Sequence, residues 1–287
     1  MPPPLKTIGI TGATGFIGSA LSQFLEEKGY LIIPLNRGFT LTDVDDCDII
    51  INLAGASINR RWSRSAKKLI RESRIETTKR LVGFLNVSGS KRTLLLISAS
   101  AIGIYPTSKS KTDVDNNAYD EYSPERGDDF LTQTCIDWEN EALKANSNIR
   151  VVIARFGVVL SNKGGALPKM SLPFKFGVAV TIGNGKQPFS WIALEDLLRA
   201  FAFLIKKEEL SGVFNFTSPN PVNNAELTQT LARYYKCPIK LRIPAFIFKA
   251  AYGDASTLFT DGQRVLPTRL IENGFIFSFT TILCSRF

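Results

Sequence analysis

Thr11-Gly12-Ala13-Thr14-Gly15-Phe16-Ile17-Gly18 is the stretch that decides the fold of this 287-residue chain. It joins an apolar β-type run, Thr7 to Thr11, to a helical pattern from Phe16 to Lys28. That pattern puts Phe16, Ile17, Ala20, Leu21, Phe24 and Leu25 on one face and stops at Gly29. The glycines fall at G-x-x-G-x-x-G spacing. Glycine lets the backbone turn tightly and approach a ligand closely, and the free amides and dipole at a helix N-terminus favour negative charge. A strand, a glycine turn and a helix in that order predict a seat for a dinucleotide pyrophosphate, with Gly12, Thr14, Gly15, Phe16, Ile17 and Gly18 as its residues.

Outward from the turn, further β-type runs at Leu31 to Leu35, Asp48 to Leu53, Thr93 to Ser98 and Val151 to Ala154 alternate with amphipathic helical stretches. The fold class is therefore α/β, a Rossmann-like doubly wound parallel sheet. Only ten residues separate Arg37 from Asp48, too few for a full second helix and third strand, so the third-strand region is expected to be truncated. Pro34 agrees, because a proline removes a ladder donor and belongs on an edge strand. After Phe156 the pattern loosens, with helices expected at Leu194 to Lys207, Asn224 to Tyr235 and Gly262 to Asn273. The expected organisation is a nucleotide-binding body over 1–160, to which 190–218 returns, and a smaller C-terminal α+β lobe over 161–287.

At the end of the second strand a site built for NAD(H) carries an acidic residue for the ribose hydroxyls. This chain has Asn36-Arg37, and Arg37 would meet a 2′-phosphate, which favours NADP(H) over NAD(H).

Composition bounds the rest. With 44% hydrophobic and 21% charged residues the chain is an ordinary globular one. No run approaches the ~20 apolar residues of a spanning helix, and the opening Met1-Pro2-Pro3-Pro4-Leu5-Lys6 has no signal-type apolar stretch, so the expectation is cytoplasmic with no membrane partner. Cys47, Cys135, Cys237 and Cys284 are scattered without C-x-x-C spacing and read as reduced thiols. The chain has no histidine, which removes Ser-His-Asp and Cys-His nucleophile systems and imidazole-bound metal. The formal net charge of +9 is spread among acidic residues, which argues against nucleic acid and favours a small, anionic substrate. The long helix expected from Ser63 to Asn86 has no apolar stripe that would decide between monomer and homodimer.

A series of blocks runs along the whole chain: T-G-A-T-G-F-I-G at Thr11, I-N-L-A-G ending at Gly55, R-R-W at Arg60, S-R-I-E-T-T at Ser73, S-A-S-A-I-G at Ser98 and G-D-D-F-L at Gly127. W-E at Trp138, R-F-G-V-V-L at Arg155, G-G-A-L-P-K-M at Gly164, S-W-I at Ser190, P-N-P-V-N-N-A-E at Pro219 and G-Q-R-V-L-P at Gly262 complete it. With these blocks the chain resembles the atypical extended short-chain dehydrogenase/reductases of the YfcH-like "epimerase family protein" group, which carry a distinctive C-terminal domain, here 238–287. The resemblance implies that Leu53, Ala54 and Gly55 end a strand against the cofactor. It also implies that Arg74 reaches toward the dinucleotide and that Val158 lies near the nicotinamide. Ser98 and Cys135 join the expected cofactor set, and Lys169, Lys186, Trp191 and Asn224 the expected substrate cleft. The last segment, from Thr280 to Phe287, departs from the usual family ending.

The wider superfamily works with Ser, Tyr and Lys, the last two four residues apart, with tyrosine as general acid/base. Setting Glu139 against the glutamate that follows that lysine places Cys135 at the lysine position and Leu131 at the tyrosine position. A thiol cannot do the work of a cation in lowering a phenol's pKa. Ser100 fits the serine position, and Tyr105 is the candidate phenol from a different direction, although Ile104 replaces the aromatic that usually precedes it. Two functions follow: an NADP(H)-dependent oxidoreductase or epimerase with a non-standard site, or a catalytically inactive NADP(H)-binding regulatory or redox-sensing module.

Overall fold

The computed structural model describes residues 6–88, 92–107 and 118–282. Cys284 and most of the divergent ending therefore lie outside the described residues. At the centre is a six-stranded parallel sheet made of β1 (Thr7–Thr11), β2 (Leu31–Leu35), β3 (Ile49–Asn52), β4 (Leu95–Ala101), β5 (Arg150–Phe156) and β6 (Gly212–Phe216). The spatial order is β6-β5-β4-β3-β1-β2.

Period-two alternation splits the strand residues between two cores. Ile8, Ile10, Ile49, Ile51, Leu95 and Ile97 face α1 (Phe16–Glu26) and a later helix, Leu194–Lys206, whose Leu197, Phe201 and Leu204 complete that layer. Ile50, Leu96 and Ile153 face the other way and meet Leu81, Val82 and Leu85 of α3 (Arg64–Val87) and Ala142 of α4 (Phe130–Ala142). Parallel strands buried on both faces read as continuous apolar runs, as Ile49-Ile50-Ile51 does.

The truncation is real. Between β2 and β3 stands one five-residue helix, α2 (Leu41–Asp45), closed by a capping box in which Thr40 and Asp43 satisfy each other's backbone amides. With no strand beyond it, β2 is the sheet edge, and Pro34 sits there opposite Ile10. β6 and the Leu194–Lys206 helix return to the main body after the chain has left it.

The remaining residues form small sheets and helices beyond the C-terminal ends of β4 and β5. One is a three-stranded sheet of Trp191–Ala193, Val158–Ser161 and Gly164–Gly165. Another is a parallel pair, Val178–Ile182 with Ile239–Ile243. The expected helix over Gly262 to Asn273 shrinks to Thr268–Glu272. Its first half is irregular chain: Gly262 packs so closely on Pro188 that a Cβ there would lie 1.9 Å from the Pro188 carbonyl oxygen, and the Arg264 carbonyl and Leu266 amide are taken up by the backbone of Tyr119, which bridges Val265. Among the described residues no helix is long and apolar enough to cross a membrane.

Candidate functional site

One cavity of about 540 Å³ opens at the C-terminal ends of the strands, where open α/β sheets bind ligands. Its floor at one end is the glycine turn. Gly12 has φ of 70°, and a Cβ on Gly18 would lie 2.1 Å from the Gly12 carbonyl oxygen, so helix and turn can close up only without side chains there. A Cβ on Gly15 would meet only that same carbonyl oxygen, at 3.2 Å, and otherwise open space. α1 begins at Gly15 with no side chain capping its amides. That end offers hydrogen-bond donors to an anion, and the cradle fits a pyrophosphate.

Arg74 faces the same cavity from α3. Its Nη1 donates to the carbonyls of Ala56 (3.0 Å) and Ile70 (2.9 Å), and the guanidinium lies 5.3 Å from the Trp138 ring centroid. Burial pulls its pKa below the ordinary arginine value, opposed only by Cys135. A partly desolvated cation on a cavity wall suits a negatively charged ligand. Phe16 links turn and lobe, since Cβ atoms on Gly164 or Gly165 would each lie 2.7 Å from its ring.

Behind the cavity two polar networks hold the strand ends. In the first, Thr11 Oγ1 donates to Asn52 Oδ1 (2.7 Å) and accepts from the amides of Leu53 and Ala54. Asn52 Nδ2 donates to Thr78 (2.8 Å) and Ser98 (3.2 Å), and the Trp138 indole donates to Thr78 (2.9 Å). In the second, Ser100 Oγ donates to Glu139 Oε1 at 2.6 Å. Arg155 grips the same carboxylate through Nε (2.8 Å) and Nη2 (2.7 Å), and its Nη1 donates to the Tyr105 hydroxyl (2.8 Å). Burial pulls the Arg155 pKa down, but the Glu139 carboxylate outweighs it and holds the guanidinium above its ordinary value. Tyr105 in turn reaches the Asp120 carbonyl (2.8 Å) and Asn215 Oδ1 (3.1 Å).

Of the residues expected from the sequence, the structure brings together Gly12, Gly15, Phe16, Ile17, Gly18, Leu53, Gly55, Arg74, Ser100, Cys135 and Val158 around this cavity. Several others stand elsewhere. Thr14 is exposed in the turn, and Ala54 lies beside the lining without joining it. Asn36 and Arg37 are exposed just past β2, where the Arg80 guanidinium donates to the Arg37 carbonyl and covers Phe39 at 4.1 Å. Ser98 has no exposed surface and belongs to the first network.

Tyr105 is a correction: it is fully buried, stacked on Tyr119 with centroids 5.5 Å apart, and its hydroxyl is enclosed by Arg155, Asn215 and Asp120. It does not reach the cavity, and burial pushes its pKa up despite Arg155. The expected substrate cleft is also displaced. Lys169 and Lys186 are exposed outside the cavity. Trp191 is buried with its indole donating to the Asn220 carbonyl, and Asn224 accepts from the Ile182 amide. The far wall comes instead from Thr257, Leu258 and Asp261 to Gln263, with Pro188 and Phe189. Cys135 does face the cavity, with its thiol pushed up to about 12, by burial first and then by the Glu139 charge, so it stays protonated.

The parallel sheet, the glycine turn at its first crossover and the cavity at the strand ends define an NAD(P)-binding fold of the short-chain dehydrogenase/reductase class. The chain belongs to the NAD-dependent epimerase/dehydratase family, whose model matches residues 8–216, and a domain of unknown function (DUF1731) matches 243–283. It is 37% identical to a chloroplastic "Epimerase family protein SDR39U1 homolog" of Arabidopsis thaliana, over 95% of this chain and 83% of the relative. It is 36% identical to the epimerase family protein YfhF of Bacillus subtilis, over 96% and 95%. The crystal structure of human epimerase family protein SDR39U1 (isoform 2) with NADPH superposes with a TM-score of 0.87 at 30% identity, covering 96% of each chain.

Proposed function

We propose that the chain is an NADP(H)-dependent oxidoreductase or epimerase that acts on a small substrate without the tyrosine and lysine of its superfamily. The observation that carries this reading is the single cavity that runs from the uncapped amides of α1 to Ser100 at the end of β4. The α1 amides and Arg74 would hold the pyrophosphate, and Arg37, with Arg80 beside it, would meet the 2′-phosphate. The human relative solved with NADPH supports the choice of cofactor. When bound, the nicotinamide supplies or takes up hydride. The chain's own part is to wall that end with Phe156 and Val158, to exclude water with Ile102, Leu131 and Leu258, and to orient the substrate from Ser100.

One observation favours the second reading, a cofactor-holding module without chemistry. Leu131 and the neutral Cys135 thiol stand where a proton-transferring pair would be, and neither can serve as that pair. Calorimetric titration with NADPH and NADH, followed by a screen of carbonyl compounds and nucleotide sugars at saturating NADPH, separates the two. Tight NADPH binding with turnover supports the enzyme, tight binding without any turnover supports the module, and failure to bind either cofactor defeats both.

A further inference from the structure

A hydroxyl has one hydrogen and two lone pairs, so what it offers a ligand depends on where the hydrogen is already engaged. Ser100 Oγ lies 2.6 Å from Glu139 Oε1. Both oxygens of that carboxyl group also accept from Arg155, at 2.8 and 2.7 Å, and a guanidinium can only donate, so Glu139 meets Ser100 as an acceptor. The serine hydrogen is therefore directed at Glu139, away from the cavity. The arrangement is clamped from behind, because Arg155 Nη1 is tied to the Tyr105 hydroxyl at 2.8 Å and the Tyr105 hydroxyl to the Asp120 carbonyl at 2.8 Å. Arg155 and Ser100 are each 2% exposed, so water cannot take over these bonds cheaply.

Nearby donors do not reverse this. The Thr134 hydroxyl donates to the Phe130 carbonyl at 2.7 Å and the Gln263 amide to the Tyr105 carbonyl at 3.3 Å, while the Cys135 thiol, itself in hydrogen-bond contact with Ser100, is a weak donor that occupies at most one of the two Ser100 lone pairs.

From this geometry we infer that Ser100 meets the cavity as a hydrogen-bond acceptor, with Glu139 and Arg155 as positioning residues. The substrate group seated on it is then a hydroxyl that brings its own hydrogen, not a carbonyl oxygen. The inference rests on the proposed role of the cavity as the nicotinamide and substrate site.

The test uses the full-length protein saturated with 1,4,5,6-tetrahydro-NADP, a reduced analogue that cannot give up hydride. Affinities for cyclohexanol and cyclohexanone are measured by saturation-transfer NMR, and cofactor affinity is measured separately by calorimetry. The wild type is expected to hold the alcohol about fivefold more tightly than the ketone, the worth of one net hydrogen bond. Ser100→Ala should equalise the two, Ser100→Thr should keep the preference, and Glu139→Leu combined with Arg155→Met, which removes the acceptor of the serine hydrogen, should reduce it to under twofold with the chain still folded by circular dichroism. Equal or tighter ketone binding, no binding of either probe, or an alcohol preference that survives Ser100→Ala overturns the inference. So does a loss confined to cofactor affinity in Ser100→Ala, which would assign the acceptor to the nicotinamide carboxamide. If no variant or wild type binds the cofactor, it is the proposed function that fails.

Discussion

Replacing Glu139 with Gln should cost about 3–5 kcal/mol of folding stability, the range found when one partner of a buried ion pair is removed. The structure explains why the upper range applies. Glu139 takes two of the guanidinium's hydrogen bonds; glutamine keeps one acceptor oxygen but turns an amide donor toward the guanidinium, which leaves the Arg155 charge uncompensated beside the Tyr105 ring, 5.1 Å away, in a site where it is 2% exposed. A nearby control sits on the same helix. Asp137 of α4 pairs with Arg71 of α3 at 2.6 Å, but the arginine side chain is 47% exposed, and Asp137→Asn should cost under about 1 kcal/mol. Replacing both buried partners, as Glu139→Leu with Arg155→Met, should recover most of the loss, because no uncompensated charge remains. Urea unfolding followed by tryptophan fluorescence measures all three, with the midpoint expected to move and the slope to stay the same. If Glu139→Gln costs no more than Asp137→Asn, or the double replacement costs more than the single one, the account of this network is wrong.

Gly18→Ala should lower NADPH affinity by at least tenfold and cost about 1–3 kcal/mol of stability, since its Cβ must displace the Gly12 carbonyl 2.1 Å away; calorimetry and unfolding read the two effects. Tyr105→Phe should leave cofactor affinity unchanged and cost about 1–2 kcal/mol, because Arg155 Nη1 loses an acceptor; an affinity loss would return Tyr105 to the cavity. Alkaline pH should destabilise the fold through Cys135, whose pKa rises from 9.0 to about 12 on folding, by burial first and then by the Glu139 charge. A group raised in this way contributes stability that is complete below about pH 9 and is lost as pH climbs toward 12, by about 1.4 kcal/mol per unit. Cys47 is pushed up to about 12 as well, mainly by burial, so Cys135→Ala should flatten the loss between pH 9 and 11 by about half.

The sequence carried the body of this fold because its signals are local. The glycine turn, the stop at Gly29 (φ 86°), the ten-residue gap and Pro34 each constrain backbone within a few residues, and each matches the sheet order. The site was legible only as far as it follows that backbone. Ser98 and Ser100 share strand parity and face, and only position along the strand separates them: Ser98 lies under Thr78 and Trp138, and Ser100, two residues further on, lines the cavity. No spacing rule says where along the strand the cavity begins. Tyr105 failed as a candidate for the same kind of reason, since what encloses it, Asn215 and Arg155, is 110 and 50 residues away.

The far wall of the cavity was missed because Thr257 to Gln263 carries no motif of catalytic type: Thr257–Thr260 is a single helical turn, and Gly262 is placed by its packing on Pro188. Glu139 and Arg155 gave a usable signal: an acid on a helix and an arginine inside an otherwise apolar buried strand, each of which requires a partner.

The most direct measurement is a crystal structure of the full chain with NADPH. The pyrophosphate is expected on the α1 amides beside Gly15, the 2′-phosphate within reach of Arg37, and nicotinamide C4 facing the space bounded by Ser100, Cys135 and Val158. A cofactor bound away from the glycine turn, or a nicotinamide turned away from Ser100 with that space filled by protein, would contradict this placement.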